Sequence, residues 1–188
     1  KNGDLLKYDP NVLIDNGENA TLVEKTMREL FIPRTEPFND KTFKDILYLI
    51  GEGFIIGNIS KNIICLFNPY GNNGKTLFGF ILSLIYLKTF KGIEPKIFKD
   101  PFFKTLIDNS NCIVIDEILP NSLKNHFHQL KNITKGSGKN EDLRIMHSNV
   151  LRESKGYGVF YILCNELLDI DLNDEALLHR FIVYDLPN

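Results

Sequence analysis

Nine residues, Asn68 to Thr76, limit what this chain can fold into more than any other stretch: NPYGNNGKT. They follow an apolar run rich in isoleucine, IICLF, and they open a longer apolar run, so the sequence predicts a strand, a tight turn and a helix in that order. The end of the stretch, Gly74-Lys75-Thr76, completes the phosphate-binding pattern G-x-x-x-x-G-K-[ST], with Pro69 in place of its first glycine. That glycine mainly permits a turn, and proline serves as well where φ is negative. Pro69, Tyr70, Gly71, Asn72, Asn73, Gly74, Lys75 and Thr76 are therefore the expected nucleotide cradle. Backbone N–H groups and the positive helix end face the phosphates, Lys75 reaches the β and γ phosphates, and the Thr76 hydroxyl binds Mg²⁺.

A second element supports the first. The run NCIVIDEIL reads as a strand ending in adjacent carboxylates, Asp116 and Glu117. Hydrolysis of a nucleotide needs one acid to hold the Mg²⁺ shell and one to activate water, so Asp116 is the candidate metal residue and Glu117 the candidate base. A third strand, VFYILC, runs into Asn165, a polar tip suited to hydrogen-bonding water or the γ phosphate. In NDEALLHRF, Asp174 and Glu175 look like a helix start and Arg180 lies near its end. Lys75, Asp116, Asn165 and Arg180 all fit within a little over a hundred residues.

The pattern around these elements predicts an α/β fold of P-loop NTPase type, with a central, mostly parallel sheet flanked by helices. The chain of 188 residues divides into a linker and small helical preface, residues 1–59, and the core, residues 60–188. In the preface LVEKTMREL is one helical pattern, and Phe43, Ile46, Leu47 and Ile50 form another. The helix that opens at Gly74 is apolar on nearly every side, as for a helix packed between the sheet and its neighbours. Cys65, Cys112 and Cys164 sit inside strand-like runs with neither metal spacing nor a disulfide framework, and read as core residues. The chain begins at Lys1 rather than methionine and reads as a piece of a longer polypeptide. Its longest apolar run, LFGFILSLIYL, is too short to span a bilayer, and no signal peptide is visible. An intracellular protein without membrane contact is expected.

Composition is that of a globular protein, 43% hydrophobic and 24% charged, and the net charge of −2 carries no global nucleic-acid signal. Between Asn121 and Phe160, however, five lysines and two arginines face three acids. There Leu123, Phe127, Leu130 and Ile133 place one helix face on a core, leaving Lys124, His126, His128 and Lys131 elsewhere on the helix. The runs DLRIMHS and GYGVFYILC are expected to form a hairpin with a basic tip near Lys155. In a ring, small positive loops repeated around a channel hold a nucleic-acid backbone even on an acidic protein.

Taken in order, NNGKT, IDE, KNITKGSG with Arg144, FYILCNELLDID and DEALLHRF resemble superfamily 3 helicases, most closely those of poxvirus, large DNA virus and phage or plasmid primase-helicases. The resemblance covers Lys41 to Pro187. It departs from the family at Pro69 and in the longer stretch KGSGKNEDLR before Arg144. It implies an AAA+ core that binds ATP and Mg²⁺, assembles as a homo-oligomeric ring, usually a hexamer, and translocates on single-stranded or forked DNA. A primase domain fused outside this chain and a place at the site of viral or phage DNA replication in the host cytoplasm belong to the same expectation. Carried onto this sequence, Lys75 and Thr76 are phosphate and Mg²⁺ ligands, Asp116 and Glu117 the catalytic acids, Asn165 the sensor, and Arg180 an arginine finger supplied to a neighbouring subunit. DNA contacts fall to Lys131, Lys135, Lys139, Arg144 and Lys155. The rival is an AAA+ ATPase that assembles or remodels a nucleoprotein complex without unwinding. A small-molecule kinase fits less well, since no lid pattern follows the loop.

Overall fold

The computed structural model describes residues 25, 40–54, 61–70, 74–86, 88–91, 100, 102–116, 118–134, 142–144, 150–154, 157–171 and 173–186. Helix α1 (Asp40–Glu52) leads to β1 (Ile63–Phe67), α2 (Lys75–Ile85), β2 (Thr89–Lys91), α3 (Phe103–Ile107) and β3 (Cys112–Ile115). A 3-10 turn (Lys124–His126) then runs into α4 (Phe127–Ile133), followed by β4 (Asp142–Arg144), β5 (Leu151–Glu153), β6 (Val159–Cys164), α5 (Glu175–Leu178) and β7 (Phe181–Asp185). Five strands form the central sheet in the order β2-β3-β6-β1-β7, and every described pair in it is parallel.

Both faces of this sheet are covered, which is why its central strands read as unbroken apolar runs rather than as alternation. Ile63, Cys65, Ile113, Ile115, Phe160 and Ile162 point to one face, beneath Phe103, Ile107, Leu123, Phe127, Leu130 and Ile133. Ile64, Leu66, Val114, Tyr161 and Leu163 point to the other, beneath Ile46, Leu49 and Ile50 of α1 and Phe78, Leu82 and Tyr86 of α2 and its C-cap. The three cysteines are buried and free, as expected of core residues. Among the described residues no helix is long and apolar enough to cross a membrane.

Three expectations need correction. The α1 face uses Leu49 where the pattern suggested Leu47, which is 46% exposed. Helix α2 is covered on one side only: Leu77, Phe80 and Leu84 remain exposed. The hairpin is built differently as well. DLR pairs antiparallel with Leu151–Glu153, whereas VFYILC joins the central sheet between β3 and β1. Lys155, the expected tip residue, lies outside the described residues. The LVEKTMREL helix, apart from a helical Lys25, lies outside the described residues.

Candidate active site

In a parallel sheet every strand ends at the same edge, so the C-terminal ends of β1, β6 and β3 are brought together by topology alone. Phe67 pairs with Cys164 and Ile115 with Ile162. Asn68 and the phosphate loop therefore emerge beside Asn165, with Asp116 one strand further on. Strand spacing puts β3 roughly 10 Å from β1, two strands away. That gap is bridged by β6, whose exposed tip residue Asn165 stands between the loop and the acid.

Gly74 adopts φ 81°, ψ 5°, a left-handed conformation that a residue with a Cβ enters only with strain, and it caps α2. Its carbonyl accepts from Phe78 N at 2.8 Å, so the helix begins immediately after the turn. Lys75 is the first helical residue and only 8% exposed. Its Nζ donates to the Asn68 carbonyl at 3.1 Å, folding the ammonium back over the start of the loop. Burial lowers the Lys75 pKa, and the neighbouring Cys164 and Asp116 oppose that shift. Thr76 follows in the first turn with its residue exposed. Just beneath the edge, Cys65 Sγ and Cys164 Sγ lie 3.3 Å apart; the hydrogen bond to Cys164 and burial hold Cys65 well above the usual thiol range.

Mg·ATP is the ligand expected here, and Lys75, Thr76 and Asp116 are the described side chains that would meet it. Mg²⁺ retains several waters and takes one or two protein oxygens together with phosphate oxygens, so Asp116 and Thr76 are a sufficient protein share. Among the described residues no group of three His, Cys, Asp or Glu forms a dedicated metal cage. Gly71, Asn72, Asn73 and Glu117 lie outside the described residues, while Pro69 and Tyr70 are exposed at the loop's start.

Arg180 is not part of this edge. Its carbonyl accepts from Ile63 N at 2.7 Å, at the opposite end of β1, and five strand residues span roughly 16 Å. Its Nη1 donates to the Lys131 carbonyl at 2.9 Å. Lys131 in turn forms an ion pair with Asp174, which caps α5 by accepting from Leu177 N at 3.0 Å. The pairing pulls the Asp174 carboxyl below its ordinary pKa. The Lys131 ammonium is thus engaged within the fold. Of the other candidate DNA contacts, Lys135, Lys139 and Lys155 lie outside the described residues, and Arg144 is placed in β4 by its backbone alone.

Two residues that sequence reasoning missed hold the elements around the sheet, one at each of its ends. Asn68, 2% exposed, connects β1, β6, β7 and the loop. Asp108, 1% exposed, anchors the hairpin: Arg152 Nη1 donates to it at 2.6 Å and Ser154 Oγ at 2.8 Å. Its carbonyl also accepts from Lys88 Nζ at 3.0 Å. An acid just after a short helix gives no hint of this in sequence, because the partners of its carboxylate lie more than forty residues away. Replacing Asp108 by alanine is expected to cost about 2 kcal/mol of unfolding free energy, since Arg152 and Ser154 lose a buried acceptor. Denaturant titration checks this; a loss below about 0.5 kcal/mol would show that the hairpin is held by other contacts.

The arrangement can now be set beside known structures. No protein-family model and no curated protein sequence matches this chain. Among solved structures, the NrS-1 C-terminal region (residues 305–718) superposes with a TM-score of 0.63 at 18% identity, over 88% of this chain and 38% of that one. A JCV helicase bound to a thiazolopyridine compound superposes with a TM-score of 0.59 at 15% identity, over 88% of this chain and 44% of that one. A second JCV helicase structure gives 0.57 at 13% identity, over 90% and 45%. These structures share the fold of this chain, a central parallel sheet flanked by helices. The chain spans less than half the length of each of these structures, and at these identities the likeness concerns the fold.

Proposed function

We propose that this chain is the ATP-hydrolysing motor of a viral or mobile-element replication helicase, working as a homo-oligomeric ring on single-stranded DNA. The observation that carries the proposal is the convergence of a buried Lys75, the left-handed Gly74, Asp116 and the Asn165 tip on one edge of a parallel sheet. Lys75 and the first turn of α2 bind and orient the β and γ phosphates. Asp116 and Thr76 hold Mg²⁺, which neutralises phosphate charge. Glu117 takes the proton of the attacking water and Asn165 orients that water. The β4–β5 hairpin, fixed at its base by Asp108, supplies the DNA-facing element, with Arg144 and the lysines around it meeting the backbone.

Two measurements test this reading. ATPase activity in flanked or full-length protein is expected to rise on adding single-stranded DNA; stimulation by duplex or protein alone would instead favour a remodelling ATPase. Glu117→Gln is expected to keep ATP and Mg²⁺ bound while turnover falls by about 10²–10⁴, because the amide keeps the shape and loses the base. Normal turnover in that variant would assign water activation to another residue.

A further inference from the structure

The proline of the phosphate loop has a structural counterpart. Along β1, residues 63, 65 and 67 carry the bonds to β7: Ile63 N donates to Arg180 O at 2.7 Å, and Phe67 O accepts from Leu186 N at 2.8 Å. With Phe67 opposite Asp185, the alternation of a parallel ladder makes the N–H of residue 69 the next donor, and its acceptor is Leu186 O. Residue 69 is proline and has no N–H. The Asn68 side chain fills the vacancy, because its Nδ2 donates to Leu186 O. Leu186 is 2% exposed, so its carbonyl depends on a donor from the protein.

The rest of Asn68 is committed to the loop. Its Oδ1 accepts from Tyr70 N at 2.7 Å, closing a turn around Pro69. Its backbone N donates to Cys164 O at 3.3 Å, and its carbonyl accepts from Lys75 Nζ at 3.1 Å. One buried residue thus fixes the end of β1 against both neighbouring strands and presents the carbonyl that holds the phosphate-binding lysine.

We propose that the Asn68 carboxamide replaces the ladder donor missing at Pro69, which makes Asn68 a positioning residue for Lys75 and the phosphate loop. The proposal rests on the reading of this loop as the ATP phosphate site. It predicts that the two residues depend on each other. In the native background Asn68→Ala is expected to weaken ATP binding about tenfold, equivalent to ~1.4 kcal/mol. In a Pro69→Ala background, which restores an N–H at residue 69, the same change is expected to weaken binding no more than about threefold. A merely structural Asn68 would cost the same in both backgrounds.

The experiment is a nucleotide titration of wild type, Asn68→Ala, Pro69→Ala and the double variant, with thermal melting of each and Lys75→Ala as control. Equal losses in both backgrounds, or no loss at all, overturn the proposal while leaving the phosphate site intact if Lys75→Ala abolishes binding. Unchanged binding in Lys75→Ala overturns the phosphate-site reading and the positioning role with it. If Asn68→Ala folds only together with Pro69→Ala, the donor replacement is supported directly. If it folds in neither background, the replacement is overturned.

Discussion

Lys75→Ala is expected to weaken ATP binding by at least about a hundredfold, the loss of ~2.7 kcal/mol in charge-assisted contacts to the phosphates. The lysine is placed for this role by the chain on both sides of it. Gly74 turns the backbone so that α2 starts at Lys75, and the Asn68 carbonyl holds the ammonium over the loop. Unfolding should contribute less than the lost phosphate contacts, since removing a buried ammonium also removes the cost of desolvating it. The thermal midpoint of the variant is therefore expected to stay close to that of wild type, and undiminished nucleotide affinity would rule out the loop as the phosphate site.

The same burial has a consequence for pH. It lowers the Lys75 pKa, so the free protein gives up this proton more readily than an exposed lysine does. A bound phosphate needs the ammonium and raises its pKa again. By linkage, affinity for ATP is expected to be fully present at pH values below the pKa of the free protein and to fall as pH rises through it. Lys75→Ala should abolish this dependence, which separates it from titration elsewhere.

How much of this was legible in the sequence depends on what each residue touches. IICLF, CIVI and VFYILC were readable as strands because both faces of the sheet are covered and each run is apolar throughout. The edge strand TFK, three residues long, leaves no such trace. The run GYGVFYILC also reads as one arm of the hairpin, whereas the actual partner LRE is mostly exposed and gives no apolar signal. Propensity could not decide which partner a strand takes. The G-K-T and IDE motifs were visible because each is local, and the structure sets Lys75 and Asp116 at the same edge of the sheet. Asn68 was not visible, because its task follows from the register of β1 against β7, 118 residues away. The exposed stripe Leu77, Phe80 and Leu84 failed for the converse reason: composition records that a helix is apolar, not which of its sides is covered.

Arg180→Ala is expected to bind ATP and yet lose about 10³-fold in hydrolysis, the scale of an arginine that stabilises charge on the transferring phosphate. Its position decides how it acts. Arg180 enters β7 at the end of the sheet opposite the phosphate loop, roughly 16 Å from it, and its guanidinium is held at the Lys131 carbonyl. An arginine so placed does not reach the phosphates of its own subunit, so a contribution to hydrolysis has to be made to another copy. This yields a test that neither residue gives alone. Lys75→Ala subunits lack a working loop but carry Arg180, and Arg180→Ala subunits carry the loop but lack the arginine. Mixed in flanked or full-length protein, the two inactive variants are expected to recover part of the ATPase wherever an intact loop meets an intact arginine. Native mass measurement establishes that they co-assemble. A co-assembled mixture without activity would remove Arg180 from catalysis and leave it the bond to Lys131, a contact that ties β7 to α4.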